Sequence, residues 1–180
     1  MKKIMVKITL VLLVFSTPSM AAVFKRGTQY QVCFTPHQNC TAQIVSLINH
    51  AHKSIYVQAY TFTSHPIAKA LVRAKRRGVA VKIIFDKSNF NSDFYSSSHY
   101  LIRHGIPAWE DDTLNIAHNK VIIVDGVIVE TGSFNYTYSA QKHNAENVLI
   151  IHSQALAQKY ISNWRRRQAF SVHKTKTNSN

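Results

Sequence analysis

Apolar positions along the first hundred residues alternate between two periodicities. In TAQIVSLINHAHKS (Thr41 to Ser54), Ile44, Leu47, Ile48 and Ala51 recur at helical intervals. SIYVQAY (Ser54 to Tyr60) then predicts a strand. Pro66 opens a second helical pattern, IAKALVRAKRR, which stops at Gly78. VAVKIIFD (Val79 to Asp86) predicts a buried strand, and a polar, Ser-rich helix from about Asn91 to His104 ends at Gly105. Strand, helix, strand, helix in this order predicts an α/β fold: a layered sandwich with a mixed, partly parallel central sheet flanked by helices.

The second half is patterned differently. Val121 to Val124 and Val127 to Thr131 flank Asp125-Gly126, the dipeptide favoured in two-residue hairpins. Glu110-Asp111-Asp112 is expected in a loop before this hairpin. ENVLIIHS (Glu146 to Ser153) predicts a further strand, and QALAQKYISNWRRRQAF an amphipathic closing helix. HKTKTNSN (173–180) is expected to be a disordered tail.

The amino terminus adds a compartment. Lys2, Lys3 and Lys7 precede the apolar run ITLVLLVF, and the small residues Ser19 and Ala21 follow. A basic start, a short apolar core and a small-residue exit predict a secretory signal over 1–21, whose eight-residue apolar run is far short of the ~20 residues of a membrane span. Residues 22–172 are then expected to form one soluble domain with no stable membrane association, in a mature chain of 180 − 21 = 159 residues. In an oxidising compartment Cys33 and Cys40 are expected to pair as a disulfide, worth roughly 2–3 kcal/mol less strain.

Charge sharpens the choice of partner. Without the leader lysines, 22 − 3 = 19 Lys and Arg face 8 acids, a net +11. Such an excess attracts polyanions or anionic surfaces. Basic residues cluster at Arg73-Ala74-Lys75-Arg76-Arg77 and at Arg165-Arg166-Arg167. Either cluster is also explained by cations at a helix C-terminus.

The hairpin carries the candidate chemistry. With a two-residue turn, Val124 faces Val127, Lys120 lies opposite Thr131, and His118 lies opposite Ser133. Alternation places His118 and Lys120 on one face, with Asn135 on the same parity. A nucleophile or base, a cation, a hydroxyl and an amide on one patch suit a phosphodiester. Gly132 is expected to let backbone approach the anion closely, and Asp125 to tolerate the positive φ of the turn.

His118-x-Lys120-x4-Asp125-x6-Gly132-Ser133-x-Asn135 resembles the HKD signature of the phospholipase D superfamily. The chain's size, leader and single motif are similar to those of the small secreted bacterial Nuc-type endonucleases. The resemblance implies a covalent phosphohistidine on His118, with Lys120, Ser133 and Asn135 on the substrate phosphate. It also implies a downstream glutamate, Glu146, that orients the histidine. Asp125 belongs to this catalytic set as a motif residue.

Larger members carry two motifs, so a single copy implies a homodimer whose two His118 side chains share a composite site. The resemblance further implies metal independence and no cofactor. The ten histidines agree poorly with a metal site in any case, since His50 and His52 point apart on a helix and His99 and His104 are five apart. Tyr136, Tyr138 and Trp164 are candidates to stack on bases, with core packing expected for at least two of them. The expected function is an exported, most readily periplasmic, phosphodiesterase that cuts DNA or RNA non-specifically. The alternative is a phospholipase D-type hydrolase or transphosphatidylase acting on lipid head groups.

Overall fold

The computed structural model describes residues 21–90 and 97–175. Positions 1–20 of the expected leader, 91–96 of the expected Ser-rich helix and 176–180 of the expected tail lie outside the described residues.

The chain begins with edge strand β1 (Tyr30–Phe34), joined to α1 (Cys40–Asn49) by a short loop that the Cys33–Cys40 disulfide closes. Asn39 caps α1 by accepting the Ala42 N–H at 3.0 Å. β2 (Ser54–Ala59), α2 (His65–Arg76) and β3 (Ala80–Asp86) follow, with Pro66 in the first turn of α2 and Gly78 at φ +91 just beyond its end. Next come a 3₁₀ turn (Lys87–Phe90), α3 (Ser97–Arg103), β4 (Ala108–Asp111) and the hairpin strands β5 (Lys120–Val124) and β6 (Ile128–Gly132). A short α4 (Tyr138–Lys142), β7 (Asn147–His152), α5 (Gln154–Phe170) and β8 (Val172–Lys174) complete the order.

The strands form one mixed sheet in the order β1-β7-β6-β5-β2-β3-β4-β8. β2, β3 and β4 run parallel, and the other pairings are antiparallel. Strand parity sorts the side chains: Ile55, Val57, Val81, Ile83, Phe85, Ile122 and Val124 share a core with Ile44, Ile48, Ile67 and Leu71 of α1 and α2. On the other face, α5 lays Ala157, Ile161 and Trp164 over Ile84, Val121, Ile123 and Val129. The result is the expected layered α/β sandwich, with a mixed, partly parallel sheet flanked by helices. Tyr136 and Trp164 are core residues and Tyr138 is exposed.

The structure corrects several expectations. α1 ends at Asn49 instead of continuing to Ser54, because the Asp125 carboxylate draws out the chain beyond it, accepting the N–H groups of His52, Lys53 and Ser54 at 2.9, 2.7 and 2.9 Å. Glu110 and Asp111 lie in β4, not in a loop. The acids that disfavour a strand in isolation are each neutralised by a distant cation, Arg167 on Asp111 and Lys174 on Glu110. His173 and Lys174, expected in a disordered tail, pair in β8 against β4.

The hairpin register also differs. Val124 opposes Ile128 and Val121 opposes Thr131, one residue away from the two-residue-turn expectation. Asp125 and Gly126 both take positive φ (54° and 70°) and the Val127 N–H closes onto the Val124 carbonyl at 3.1 Å, but Val127 is left outside the ladder. One unpaired residue reverses the parity of the whole returning strand. Thr131 therefore shares a face with Val121, and Glu130 shares the Lys120 face.

Candidate active site

The site lies where β2 and β3 end and β5 begins, at the carboxyl ends of parallel strands. Ala59 and Lys120 pair at the last rung between β2 and β5, and the Tyr60 N–H extends the ladder to the Asn119 carbonyl at 2.9 Å. This brings three side chains together over the sheet edge. The exposed His118 imidazole tilts against the Tyr60 ring with centroids 4.5 Å apart, and Lys120 Nζ lies 4.9 Å from the centre of that ring. Lys120 is only 6% exposed and donates to the His118 carbonyl at 2.9 Å. Burial holds its ammonium below the ordinary lysine range, and the negative charge of Glu146 partly opposes this.

The other half is built where β6 ends and β7 starts. Ser133 Oγ donates to Glu146 Oε2 at 2.5 Å, Asn144 Nδ2 donates to Oε1 at 2.9 Å, and the Asn147 N–H donates back to Ser133 Oγ at 3.1 Å. Within the chain, both Glu146 oxygens are thus held by Ser133 and Asn144, and among the described residues the His118 ring accepts or donates no hydrogen bond. The buried amide oxygen of Asn135 accepts no hydrogen bond among the described residues. Gly132 has a different task from the one expected. A Cβ there would stand 2.1 Å from the Asn147 carbonyl oxygen, so the glycine admits the β7 backbone rather than an anion.

Asp125 is not part of this assembly. It sits at the turn, five residues along an extended strand from Lys120, about 16 Å away. Burial would raise its pKa, but the N–H groups of Ser54, His52 and Lys53 outweigh that and lower it. Its motif position is explained by this anchoring of the hairpin, which corrects its place among the catalytic residues.

Three supporting residues escaped the sequence reading. Asp86, at the end of β3, accepts the Ala117 N–H at 2.7 Å and the Ser88 N–H at 2.9 Å, fixing the backbone one residue ahead of His118. Burial acts to raise its pKa, yet the bonds from Ser88 and Ala117 and the charge of Lys87 hold it below the usual carboxylate value. Asn89 accepts the Phe62 N–H at 3.0 Å and donates to the Tyr60 carbonyl at 2.5 Å, setting the loop that carries Tyr60. Thr35 grips Glu146 by its backbone: the Thr35 N–H donates to the Glu146 carbonyl at 3.1 Å, and its hydroxyl accepts the Glu146 N–H at 3.1 Å. A terminal acid on a buried strand was the one available signal for Asp86. Nothing in the local sequence marked Asn89 or Thr35.

Among the described residues no group of three or more His, Cys, Asp and Glu side chains is arranged to hold a metal ion. Nor is any helix long and apolar enough to cross a membrane.

Comparisons with known proteins agree with the geometry. Residues 44–167 match the family model described as "Cardiolipin synthase, PLD-like domain". A protein named phospholipase D from Rickettsia conorii is 47% identical over 142 residues, covering 79% of this chain and 70% of that protein. The crystal structure of Nuc, a phospholipase D family member from Salmonella typhimurium, superimposes with a TM-score of 0.78 at 38% identity, covering 82% of this chain and 99% of Nuc. NucT from Helicobacter pylori gives a TM-score of 0.74 at 25% identity, with 82% and 99% covered.

Proposed function

This chain belongs to the phospholipase D superfamily and is a hydrolase of phosphodiester bonds, and on that premise we propose that it is an exported endonuclease cutting DNA, or RNA by the same chemistry, with little sequence preference. The observation that carries the reading is the pairing of exposed His118 with buried Lys120 against one Tyr60 ring at the carboxyl ends of parallel strands. The net +11 of the mature chain and the match over 99% of Nuc support a polyanionic substrate. Export is supported by the leader pattern, with cleavage after Ala21, and by the Cys33–Cys40 disulfide, which suits a periplasm.

The imidazole of His118 attacks phosphorus, and the bond to the leaving oxygen breaks as that oxygen takes a proton. Lys120 and Asn135 hold the non-bridging oxygens, where negative charge accumulates, while Ser133 keeps its one hydroxyl proton on Glu146. The proton comes from a second, charged His118 supplied by a twofold-related copy of the chain. That imidazole, now neutral, takes a proton from water, whose oxygen displaces the first histidine from phosphorus. Glu146 steadies the site through Ser133.

The test is plasmid cleavage in excess EDTA by wild type and His118→Ala, with sedimentation at the assay concentration. Cleavage by a species of twice the chain mass, lost in the variant, is expected. Abolition by EDTA with rescue by Mg²⁺, or a fully active monomer, refutes the mechanism.

A second reading has its own support. Leu114 and Ile116 are 48% and 52% exposed in the loop leading to His118, an apolar rim suited to acyl chains, and the Rickettsia relative is named phospholipase D. Turnover of phosphatidylcholine exceeding plasmid cleavage favours this reading over the nuclease.

A further inference from the structure

The two basic clusters lie at opposite ends of the sheet. α2 starts beside the site, where the Ser64 N–H donates to the Tyr136 carbonyl at 2.8 Å. It runs away from there, so at 1.5 Å per residue its basic end stands roughly 15 Å off. Two arginines of this cluster are committed to the end of α1 and the turn after it: Arg77 donates to the Ile48 and Ala51 carbonyls at 3.1 and 3.3 Å, and Arg73 to Asn49 Oδ1 at 3.2 Å. This cluster closes the end of a neighbouring helix.

α5 runs in the opposite sense. Its first half passes the hairpin turn, where Gln158 approaches the Gly126 carbonyl at 3.4 Å. Its last turns reach the site end, where Arg167 forks onto Asp111 with bonds of 2.8 and 2.5 Å. Asp111 pairs with Asp86, whose carboxylate holds the residue before His118. At 100° per residue, Arg165 and Arg167 leave the helix on opposite flanks of buried Trp164. Arg165 is exposed and makes no hydrogen bond or ion pair among the described residues, and Arg166 bonds only the Asn163 amide.

Resting on the nuclease reading, we propose that Arg165 and Arg166 grip backbone phosphates of a polynucleotide beside the one being cut, while the α2 cluster takes no part in substrate binding. The path from α5 through Asp111 and Asp86 to His118 is on the order of 15 Å, a span of a few phosphates along one strand. A bound strand thereby gains contacts that a small phosphodiester is too short to make.

The experiment compares wild type, Arg165→Ala/Arg166→Ala and the control Lys75→Ala/Arg76→Ala on long DNA and on bis(p-nitrophenyl) phosphate across a salt series. For the α5 double variant, KM on DNA is expected to rise about tenfold, and the slope of log KM against log salt to fall by just under two. Its kcat/KM on the small diester, and every value for the control, stay at the wild-type level. An unchanged salt slope overturns the proposal, as does equal loss on both substrates. A change in binding to phosphatidylglycerol vesicles without a change on DNA likewise overturns it, in favour of a lipid surface. If wild type cleaves the small diester but not DNA, the nuclease reading itself fails. A role confined to the helix dipole lowers thermal stability and leaves the slope intact.

Discussion

Asp86 and Ala117 are joined by a 2.7 Å hydrogen bond from the Ala117 N–H to the Asp86 carboxylate, across 31 residues of sequence. The bond places the segment that delivers His118 at the end of a parallel strand, so a carboxylate remote from the motif governs where the imidazole stands. Asp86→Ala should lower kcat at least tenfold with little change in KM, and cost about 1–3 kcal/mol of stability. Asp86→Asn, which keeps an acceptor, should recover much of both. Equal kcat in wild type and Asp86→Ala removes Asp86 from this role.

Asp125 predicts the opposite separation. Asp125→Ala frees three N–H groups beyond α1 and should destabilise the fold by about 1.5–3 kcal/mol, as expected for bonds to a charged acceptor. The activity of the molecules that remain folded should be unchanged. Urea titration with active-site counting distinguishes this from a catalytic aspartate.

Glu130 is fully buried and accepts the Tyr136 hydroxyl at 2.8 Å; burial is the main reason its pKa is raised to about 8. Between about 4.5 and 8 the folded chain holds a proton that the unfolded chain releases, so stability falls as pH rises through that interval. Glu130→Gln removes the titration. Its urea midpoint should gain on wild type from pH 5 to pH 8.5, and parallel pH profiles are the contrary result.

Gly132→Ala puts a methyl against the Asn147 carbonyl, a backbone group that cannot rotate away. β6 and β7 must separate, at roughly 1–3 kcal/mol for overpacking. Since the same separation draws Ser133 from Glu146, kcat should fall further than stability alone explains. Circular dichroism melts and initial rates on one preparation test the pair of effects.

What the sequence made legible follows the range of the interactions. Helices and strands set by local period could be read directly, because a few neighbouring residues determine them. The register of the hairpin could not, since one unpaired Val127 decides the parity of β6 and the dipeptide Asp125-Gly126 suits turns with or without it. β4 was hidden because its acids resemble a loop until Arg167 and Lys174 arrive from the far end of the chain. Asp86, Asn89 and Thr35 act on backbone groups of other strands, and such contacts leave no spacing to find.

The Cys33–Cys40 crosslink closes the loop that holds Thr35, and Thr35 clamps Glu146 from both its N–H and its carbonyl. Opening the crosslink is therefore expected to lengthen the tether on Thr35 and weaken its hold on the Glu146 backbone.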